Sequence, residues 1–362
     1  MSYQGKRVLV IGGTGFIGGR LAEHLLLEQG ADVRVTIRDW RKAVWISRTA
    51  SELVPGEVMD AESMRAAARD CHTVFHCASS QAASGGYMAT NRQGTANVIS
   101  ACVAAGVRRL VYVSTVAVHS ARPGEKLSSR SPLLMSGRDY SDSKVVAEQL
   151  VDAAHSPGSL ETVVVRPTYV WGPRSHLFTT RQMREMVAGT FKYVDAGSTI
   201  ANAVYVDNLV DALMAAGSKS LADGRHFLIT DGSGYRWHDL FGGYAKLLGV
   251  GTIPSVSSAS LVSALGGKAV DYSEAALASL LGERSIPVRA VRRAVKITRD
   301  QLRRRFVDSW ELNKFAYNEL ADIEDARRLL GYSPRYDLAS GLAETVRWVR
   351  DQMGFELGLG ES

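Results

Sequence analysis

The sequence predicts an α/β fold built on a doubly wound parallel sheet. Short apolar runs rich in β-branched residues alternate with helical patterns through the first half of the chain. Strands that alternate with helices form βαβ units, and parallel strands buried on both faces read as continuous apolar runs. A third observation is the turn between the first run and the first helical pattern, which is crowded with glycine.

Each apolar run supplies one strand, and the helical patterns between them carry apolar residues spaced three or four apart, as an amphipathic helix requires. Strands are expected at 7–11, 33–37, 73–76, 110–113, 162–165, 203–206 and 227–229. Helices are expected at 18–29, 95–105, 140–154 and 341–353, with helix and loop over 256–306.

The composition is that of a globular protein. Hydrophobic residues make up 46% of the 362 residues and charged residues 22%, which excludes a disordered chain, a collagen or a coiled coil. No apolar run approaches the roughly 20 residues of a membrane span, and the N-terminal apolar stretch breaks at Gly12 without a cleavage site, so no signal peptide is expected. Three cysteines (Cys71, Cys77 and Cys102) at no metal-ligand spacing indicate a reduced, cytoplasmic compartment and no metal site.

The glycine-rich turn has the sequence GGTGFIG, at positions 12–18. Glycine lets the backbone turn tightly and approach a phosphate closely, and the helix that follows offers free N–H groups and its positive dipole end. A strand, a glycine turn and a helix in this order predict dinucleotide binding. The expected contacts come from Gly12, Thr14, Gly15, Phe16, Ile17 and Gly18.

Further motifs follow along the chain in a fixed order. They are YVST at 112–115, Y-x-x-x-K at 140–144, RPTYVWGP at 166–173, VYVDN at 204–208 and LGYSP at 330–334. With the G-x-x-G-x-x-G spacing, the set resembles the extended branch of the short-chain dehydrogenase/reductase family (NAD-dependent epimerase/dehydratase type), nearest to its 3β-hydroxysteroid dehydrogenase and dihydroflavonol reductase-like members. The resemblance covers essentially the whole chain.

This resemblance implies an enzyme with a Rossmann fold and a smaller C-terminal substrate-binding region. The dinucleotide-binding domain is expected at 1–168 with 200–231, and the substrate-binding region at 169–199 with 232–362. The family resemblance also implies a homodimer.

The resemblance assigns catalysis to Thr115, Tyr140 and Lys144. Tyr140 and Lys144 stand four residues apart on a predicted helix, so their side chains share a face. An ordinary tyrosine pKa of about 10 is too high for proton transfer at neutral pH, and a neighbouring ammonium is expected to lower it. In the family the lysine also holds the nicotinamide ribose, and the hydroxyl after the strand, here Thr115, bonds the substrate oxygen. A non-catalytic nucleotide sensor on this fold is disfavoured, because a sensor needs no proton relay.

The end of the second strand decides between the two nicotinamide cofactors. An acidic side chain there accepts the ribose 2′-hydroxyl of NAD, whereas an arginine favours the 2′-phosphate of NADP. By resemblance to reductases with a TVRD segment, Arg38 holds the phosphate, with Arg41 or Lys42 as a second contact, so NADP(H) is preferred. Asp39 keeps NAD(H) open if the turn is shifted by one residue. Alignment to the family adds contacts from Glu57, Val58, Cys77, Ala78, Asn91, Lys144, Pro167 and Val170.

Three departures from the nucleotide-sugar enzymes of the family concern the substrate. Val116 and Ala117 stand where the dehydratases have an Asp-Glu pair, Tyr169 replaces an asparagine that binds diphosphate, and 198–203 contains no arginine. Asn202 and the AVYVDN segment instead resemble the hydroxysteroid and dihydroflavonol enzymes. The expected substrate is a ketone or secondary alcohol on a fairly apolar molecule of lipid, sterol, polyketide or keto-acyl type. The alternative is a nucleotide-sugar 4-epimerase or 4-ketoreductase.

Positive charge is concentrated in 284–305, where nine arginine and lysine residues face one aspartate. The apolar residues of this segment fit one helical stripe, so the basic side chains would cover the other faces. The plain interpretation is a solvated helix face. The sharper ones are the docking of an anionic carrier (CoA or acyl carrier protein) or of an acidic membrane surface. No nucleic-acid partner is expected, because no recognition motif accompanies the charge.

Overall fold

The computed structural model describes residues 3–258 and 318–353, apart from 49, 51, 80–85 and 120–125, together with Leu357. Its strands are β1 (Arg7–Ile11), β2 (Asp32–Ile37), β3 (Glu52–Pro55), β4 (Thr73–His76), β5 (Arg109–Val113), β6 (Glu161–Pro167), β7 (Tyr169–Trp171), β8 (Tyr193–Val194), β9 (Ala203–Tyr205), β10 (Arg225–Ile229) and β11 (Ser255–Val256). Its α-helices are α1 (Phe16–Leu27), α2 (Ala61–Ala68), α3 (Tyr87–Ala104), α4 (Asp139–Ala153), α5 (Arg181–Val187), α6 (Val206–Ser218), α7 (Trp237–Leu247) and α8 (Leu338–Met353).

The main sheet has seven strands in the order β3-β2-β1-β4-β5-β6-β10, and every neighbouring pair is parallel. The predicted doubly wound parallel sheet is therefore confirmed. The chain reverses its direction of travel across the sheet between β1 and β4. In open α/β sheets ligands bind in the crevice at such a point, outside the carboxyl ends of the strands.

Both faces of the sheet are covered, as the continuous apolar runs predict. On β1, Val8 and Val10 belong to a core shared with α1 and α6, while Leu9 and Ile11 belong to a second core shared with α2 and α3. Side chains alternate between the two faces of a strand, so one short run supplies both layers. This rigid centre fixes the loops that leave the carboxyl edge.

Two helices of the first half differ from the prediction at their starts. Helix α3 begins at Tyr87 instead of 95, because the Asp139 carboxylate accepts hydrogen bonds from the Tyr87 and Met88 N–H groups at 2.9 and 3.1 Å. The first turns of α3 lack apolar periodicity and were therefore not predicted. They are stabilised by this cap, which comes from a distant part of the chain. Helix α1 begins at Phe16 instead of 18.

The second half contains two small sheets, β7 with β9 and β8 with β11. The strand expected at 203–206 is correct only as far as Tyr205, and it pairs with β7 instead of joining the main sheet. Its end coincides with hydrogen bonds from the Tyr205 N–H to the Asp231 carboxylate at 2.9 and 3.1 Å, and Val206 already begins α6. The prediction for 256–306 lies outside the described residues from 259 onward. Within the described ranges, no helix is long and apolar enough to cross a membrane.

Candidate active site

The glycine turn lies at the carboxyl end of β1, against the segment that follows β4. A Cβ on Gly12, whose φ is +88°, would lie 2.7 Å from the Ala78 nitrogen. A Cβ on Gly18 would lie 2.6 Å from the Gly12 carbonyl oxygen. Glycine is required at both positions, since any side chain would push the turn away from β4. The turn is the cradle that the sequence predicts.

The N-terminus of α1 has no side-chain cap. Its N-cap, Gly15, makes no side-chain capping bond, so the first N–H groups of the helix keep their bonding capacity. Beside the turn, burial raises the pKa of the Cys77 thiol to about 12, and this group is a small wall of the cradle. The predicted residues Thr14, Phe16 and Ile17 all lie in this turn and the first turn of α1.

The structure brings the three predicted catalytic side chains together. Tyr140 and Lys144 lie on the first two turns of α4, and Thr115 lies in the loop that follows β5. The Lys144 ammonium donates a 2.9 Å hydrogen bond to the carbonyl oxygen of Val113, the last residue of β5. The Thr115 hydroxyl lies near enough to the Tyr140 phenol to favour the phenolate and so to oppose the rise in the Tyr140 pKa. A strand end and a helix start therefore hold the three groups at one point of the carboxyl edge.

The electrostatics differ from the prediction for Tyr140. Burial raises the pKa of Tyr140, and the Thr115 hydroxyl opposes the rise. The expected lowering by Lys144 is wrong for this structure, because the ammonium is directed at the Val113 carbonyl. Burial lowers the pKa of Lys144 to about 8, with the Glu148 carboxylate acting in the opposite direction.

Asn91 lies on α3, where it joins that helix to the catalytic helix. Its buried side-chain amide donates to the Ser143 hydroxyl at 2.8 Å, and Ser143 donates to the carbonyl oxygen of Tyr140 at 2.7 Å. The residue thus supports the backbone between Tyr140 and Lys144. The ring of Tyr87, also on α3, meets Tyr140 edge-on with centroids 5.2 Å apart.

A buried ion pair lies one helical turn beyond Lys144 and was not predicted. Glu148, one turn beyond Lys144, accepts from Arg166 at 2.6 and 3.0 Å, and both side chains are almost fully inaccessible. The same guanidinium donates to the Ser129 carbonyl at 2.8 Å and to ring nitrogens of His226 and His119 at 2.6 and 3.4 Å. Two features of the sequence could have indicated this pair. One is the four-residue spacing from Lys144 to Glu148, and the other is the arginine of the RPTYVWGP segment.

The predicted adenosine end lies beyond β2. Arg38 is half exposed, with its Nε 3.5 Å from a carboxylate oxygen of Glu57. Asp39 is held by Arg41, whose guanidinium donates to both carboxylate oxygens at 2.9 and 3.0 Å. Val58 packs against Gly94 of α3, where a Cβ would approach it to 2.8 Å. Arg38 and Glu57 therefore lie next to each other at the end of β2, while the Asp39 carboxylate is bound by Arg41.

The remaining predicted contacts are backbone positions at the end of β6. Pro167 is the last residue of β6, and Val170 lies in β7; both are buried. The Val170 carbonyl accepts a hydrogen bond from Ser175 at 2.8 Å, which closes the loop after β7. These residues lie on the same edge of the sheet as Thr115.

The three departures from nucleotide-sugar enzymes have structural roles. Val116 packs against the apolar group of Leu127, Leu228 and Ala321. Tyr169 joins an aromatic group, with ring centroids 5.5 Å from Phe178 and 5.3 Å from Trp237. The Asn202 side chain bonds the backbone of Glu319 at 2.8 Å and of Ala321 at 2.9 Å. Apolar contacts and backbone support thus occupy positions where those enzymes carry polar groups.

Among the residues within the described ranges, no group of three or more histidine, cysteine or acidic side chains could hold a metal ion. The basic segment 284–305 lies outside those ranges, so its side chains are not placed.

Comparison with known proteins identifies the family. The model of the 3-beta hydroxysteroid dehydrogenase/isomerase family matches residues 9–252. A 2-alkyl-3-oxoalkanoate reductase from Stenotrophomonas maltophilia is 28% identical over 349 residues, which is 93% of this chain and 97% of the relative. A 4-hydroxy-2-methyl-3-oxo-4-farnesyl-3,4-dihydroquinoline-1-oxide ketoreductase from Stigmatella aurantiaca is 29% identical over 63% of this chain and 69% of its own length.

Solved structures confirm the Rossmann fold. Epimerase Mth375 from Methanothermobacter thermautotrophicus superposes with a TM-score of 0.74 at 20% identity, over 98% of this chain and 94% of the neighbour. MoeE5, solved with UDP-glucose and NAD, gives a TM-score of 0.67 at 21% identity, over 96% of this chain and all of the neighbour. The chain belongs to the 3-beta hydroxysteroid dehydrogenase/isomerase family and is an NAD(P)-dependent oxidoreductase of the extended short-chain dehydrogenase/reductase type.

Proposed function

We propose that this enzyme is an NADP(H)-dependent ketoreductase that interconverts a ketone and a secondary alcohol on a fairly apolar substrate of lipid, sterol, polyketide or keto-acyl type. The observation that carries the proposal is the meeting of Thr115, Tyr140 and Lys144 at the carboxyl edge of the sheet. The printed names of two relatives, a 2-alkyl-3-oxoalkanoate reductase and a ketoreductase, support this class of substrate.

The glycine cradle fits a dinucleotide, because backbone contacts fill the space that side chains at Gly12 and Gly18 would need. The turn and the start of α1 would hold the diphosphate, Arg38 the 2′-phosphate, and Lys144 the nicotinamide ribose. When bound, the cofactor supplies or accepts the hydride. NADP(H) is favoured over NAD(H), since Asp39 is engaged with Arg41 while Arg38 lies half exposed.

In the reducing direction, the chain's own residues manage the substrate oxygen. Thr115 donates a hydrogen bond to that oxygen and orients the carbonyl. Tyr140 transfers its phenolic proton to the oxygen as negative charge develops there. For the Lys144 ammonium to stabilise the phenolate that is left, it has to turn away from the Val113 carbonyl, to which it donates in the structure. In the oxidising direction Tyr140 takes the proton back.

The domain division at 1–168 with 200–231, against 169–199 with 232–362, belongs to this proposal. Tyr169, in the second of these regions, is partly exposed near the carboxyl edge and is backed by the buried rings of Phe178 and Trp237. We place the apolar body of the substrate against that region.

The test is cofactor consumption. Purified enzyme is incubated with NADPH and a panel of 2-alkyl-3-oxo acids, their thioesters and keto sterols, and separately with UDP-glucose and UDP-galactose. We expect stoichiometric oxidation of NADPH with at least one apolar ketone and no interconversion of the sugars. Tightly retained NAD that survives gel filtration, together with sugar epimerisation, would support the 4-epimerase alternative instead.

The same assay tests the carrier proposal for 284–305. If this basic segment docks an anionic carrier, the KM for a carrier-bound substrate rises with salt, because exposed charges are screened over about 10 Å at 0.1 M. Reversal of charge at Arg292, Arg293 and Lys296 raises the same KM at low salt. A KM that does not change with salt indicates a solvated helix face.

A further inference from the structure

The loop after β7 places an unassigned arginine beside the predicted phosphate cradle. Arg174 lies two residues beyond Gly172, with its guanidinium stacked over the ring of Trp45 at 3.8 Å from the ring centroid. Trp45 in turn presses on the first turn of α1 so closely that a Cβ on Gly19 would overlap its ring. Gly19 is also near the turn itself, since the same Cβ would lie 2.8 Å from the Gly13 carbonyl oxygen.

Among the described residues, the counter-charge that acts on Arg174 is the Glu23 carboxylate, which is itself bound by Arg20. Neighbouring Arg20 is neutralised by Asp207 at 2.6 and 2.8 Å and by Glu23 at 2.6 Å. No described side chain forms an ion pair or hydrogen bond with the Arg174 guanidinium. Burial and the positive charge of Arg20 lower the pKa of Arg174, and the Glu23 carboxylate opposes this shift. A cation without a direct ion pair at such a place gains from an anion that lies against the start of α1.

The backbone of Arg174 has a conformation that suits glycine better than arginine. Its φ is +68°, in the left-handed region that glycine adopts freely and arginine does not. Arg174 is an exposed residue apart from its contact with Trp45. These observations agree with a guanidinium that stacks on an aromatic face and binds a ligand.

We propose that Arg174, supported by Trp45, binds the diphosphate of the nicotinamide dinucleotide beside the first turn of α1. The inference rests on the proposed cofactor binding and adds a residue that no motif assigns. It also separates two roles: Arg174 recognises the diphosphate that both cofactors share, whereas Arg38 recognises the 2′-phosphate that only NADP carries.

The experiment measures dissociation constants by calorimetry for NADP⁺, NAD⁺, ADP-ribose and 2′-AMP. The first three contain the diphosphate, and 2′-AMP contains only the 2′-phosphate. In the variant Arg174→Gly, we expect the first three ligands to bind about tenfold to a hundredfold more weakly, the range for one charged hydrogen bond. The binding of 2′-AMP stays unchanged. Arg174→Lys retains the charge without the planar fork and gives an intermediate loss.

Glycine suits the backbone at this position, so Arg174→Gly is expected to fold with an undiminished melting temperature. The control variant is Arg347→Ala on α8, which removes one exposed charge that is paired with Glu344. Alanine is chosen there because glycine would weaken the helix. It is expected to bind all four ligands as the wild type does. Trp45→Leu, which removes the aromatic face, is expected to reproduce part of the loss in diphosphate ligands.

Two results would overturn the inference. One is wild-type affinity of Arg174→Gly for all four ligands. The other is a loss for NADP⁺ and 2′-AMP with none for NAD⁺ and ADP-ribose, which would move Arg174 to the 2′-phosphate. A wild-type protein that binds none of the four ligands would instead refute the proposed function, and this inference with it.

Discussion

Lys144 lies over the ring of Tyr112, with its Nζ 4.8 Å from the ring centroid. The buried ammonium therefore meets an aromatic face on β5 and, at the end of the same strand, the Val113 carbonyl. These contacts replace only part of the hydration that the ammonium loses, which agrees with the lowered pKa of Lys144, about 8.

The first prediction concerns stability and pH in Lys144→Met. Because the folded pKa of Lys144 is about 8 and its ordinary value is 10.5, the unfolded chain holds this proton more tightly between these values. Stability then rises with pH across that window, and below it the full cost of burying the charge is present. We expect the free energy of unfolding of the wild type, minus that of the variant, to increase from pH 8 to 10.5 in denaturant titrations. A difference that stays level or falls would contradict the assigned shift.

The second prediction concerns the proton donor. Tyr140→Phe removes the transferable proton and little volume, so turnover is expected to fall by roughly 10²–10⁴. Cofactor affinity should be retained, as calorimetry can check. Tyr87→Phe is the matched control, since it keeps the ring contact with Tyr140 and removes a hydroxyl with no role in the relay. Equal activity in the two variants would remove Tyr140 from the mechanism.

The third prediction concerns cofactor choice. Arg38→Met is expected to weaken NADP⁺ binding by about 1.5–3 kcal/mol, the contribution of a charged hydrogen bond, and to leave NAD⁺ binding unaltered. Arg41→Met should have a smaller effect, because the Arg41 guanidinium is already bound to Asp39. Dissociation constants for both cofactors provide the measurement. Equal losses for NADP⁺ and NAD⁺ in Arg38→Met would refute the assignment.

The fourth prediction concerns the ion pair below the site. Glu148→Gln leaves the buried Arg166 guanidinium without its counter-charge, and a loss of about 3–5 kcal/mol in unfolding free energy is expected. Asp152→Asn, one turn further along α4, alters a half-exposed pair with His226 and should cost below about 1 kcal/mol. Chemical denaturation of both variants distinguishes them. Similar losses in the two variants would mean that burial does not determine how much an ion pair contributes to the free energy of unfolding.

Local sequence patterns were sufficient to place the glycine turn at the end of β1 and to bring Tyr140 and Lys144 together on one helix. The glycines at 12, 15 and 18 follow from a turn that must approach phosphate, and Tyr140 and Lys144 follow from one helix face. Both arguments need only neighbours in the chain.

The supporting contacts required the folded structure. Arg166 meets Glu148 from the preceding helix and His226 from a strand 60 residues later. The pairing of Arg174 with Trp45 joins two loops that follow different strands. The spacing of residues along one helix or strand does not predict such contacts, because the order of strands in the sheet creates them. The pKa of Tyr140 was mispredicted for the same reason: where the Lys144 ammonium points depends on the end of β5.

The cap that Asp139 places on α3 has a mechanical consequence for the residue next to it. Two amide hydrogens at the start of one helix rest on a carboxylate at the start of the other, directly before Tyr140. If α4 rotated to carry Tyr140 toward a substrate, it would either pull the first turn of α3 along or release those two amides to solvent. The rate at which the Tyr87 and Met88 amide hydrogens exchange with deuterium therefore measures how often the site opens.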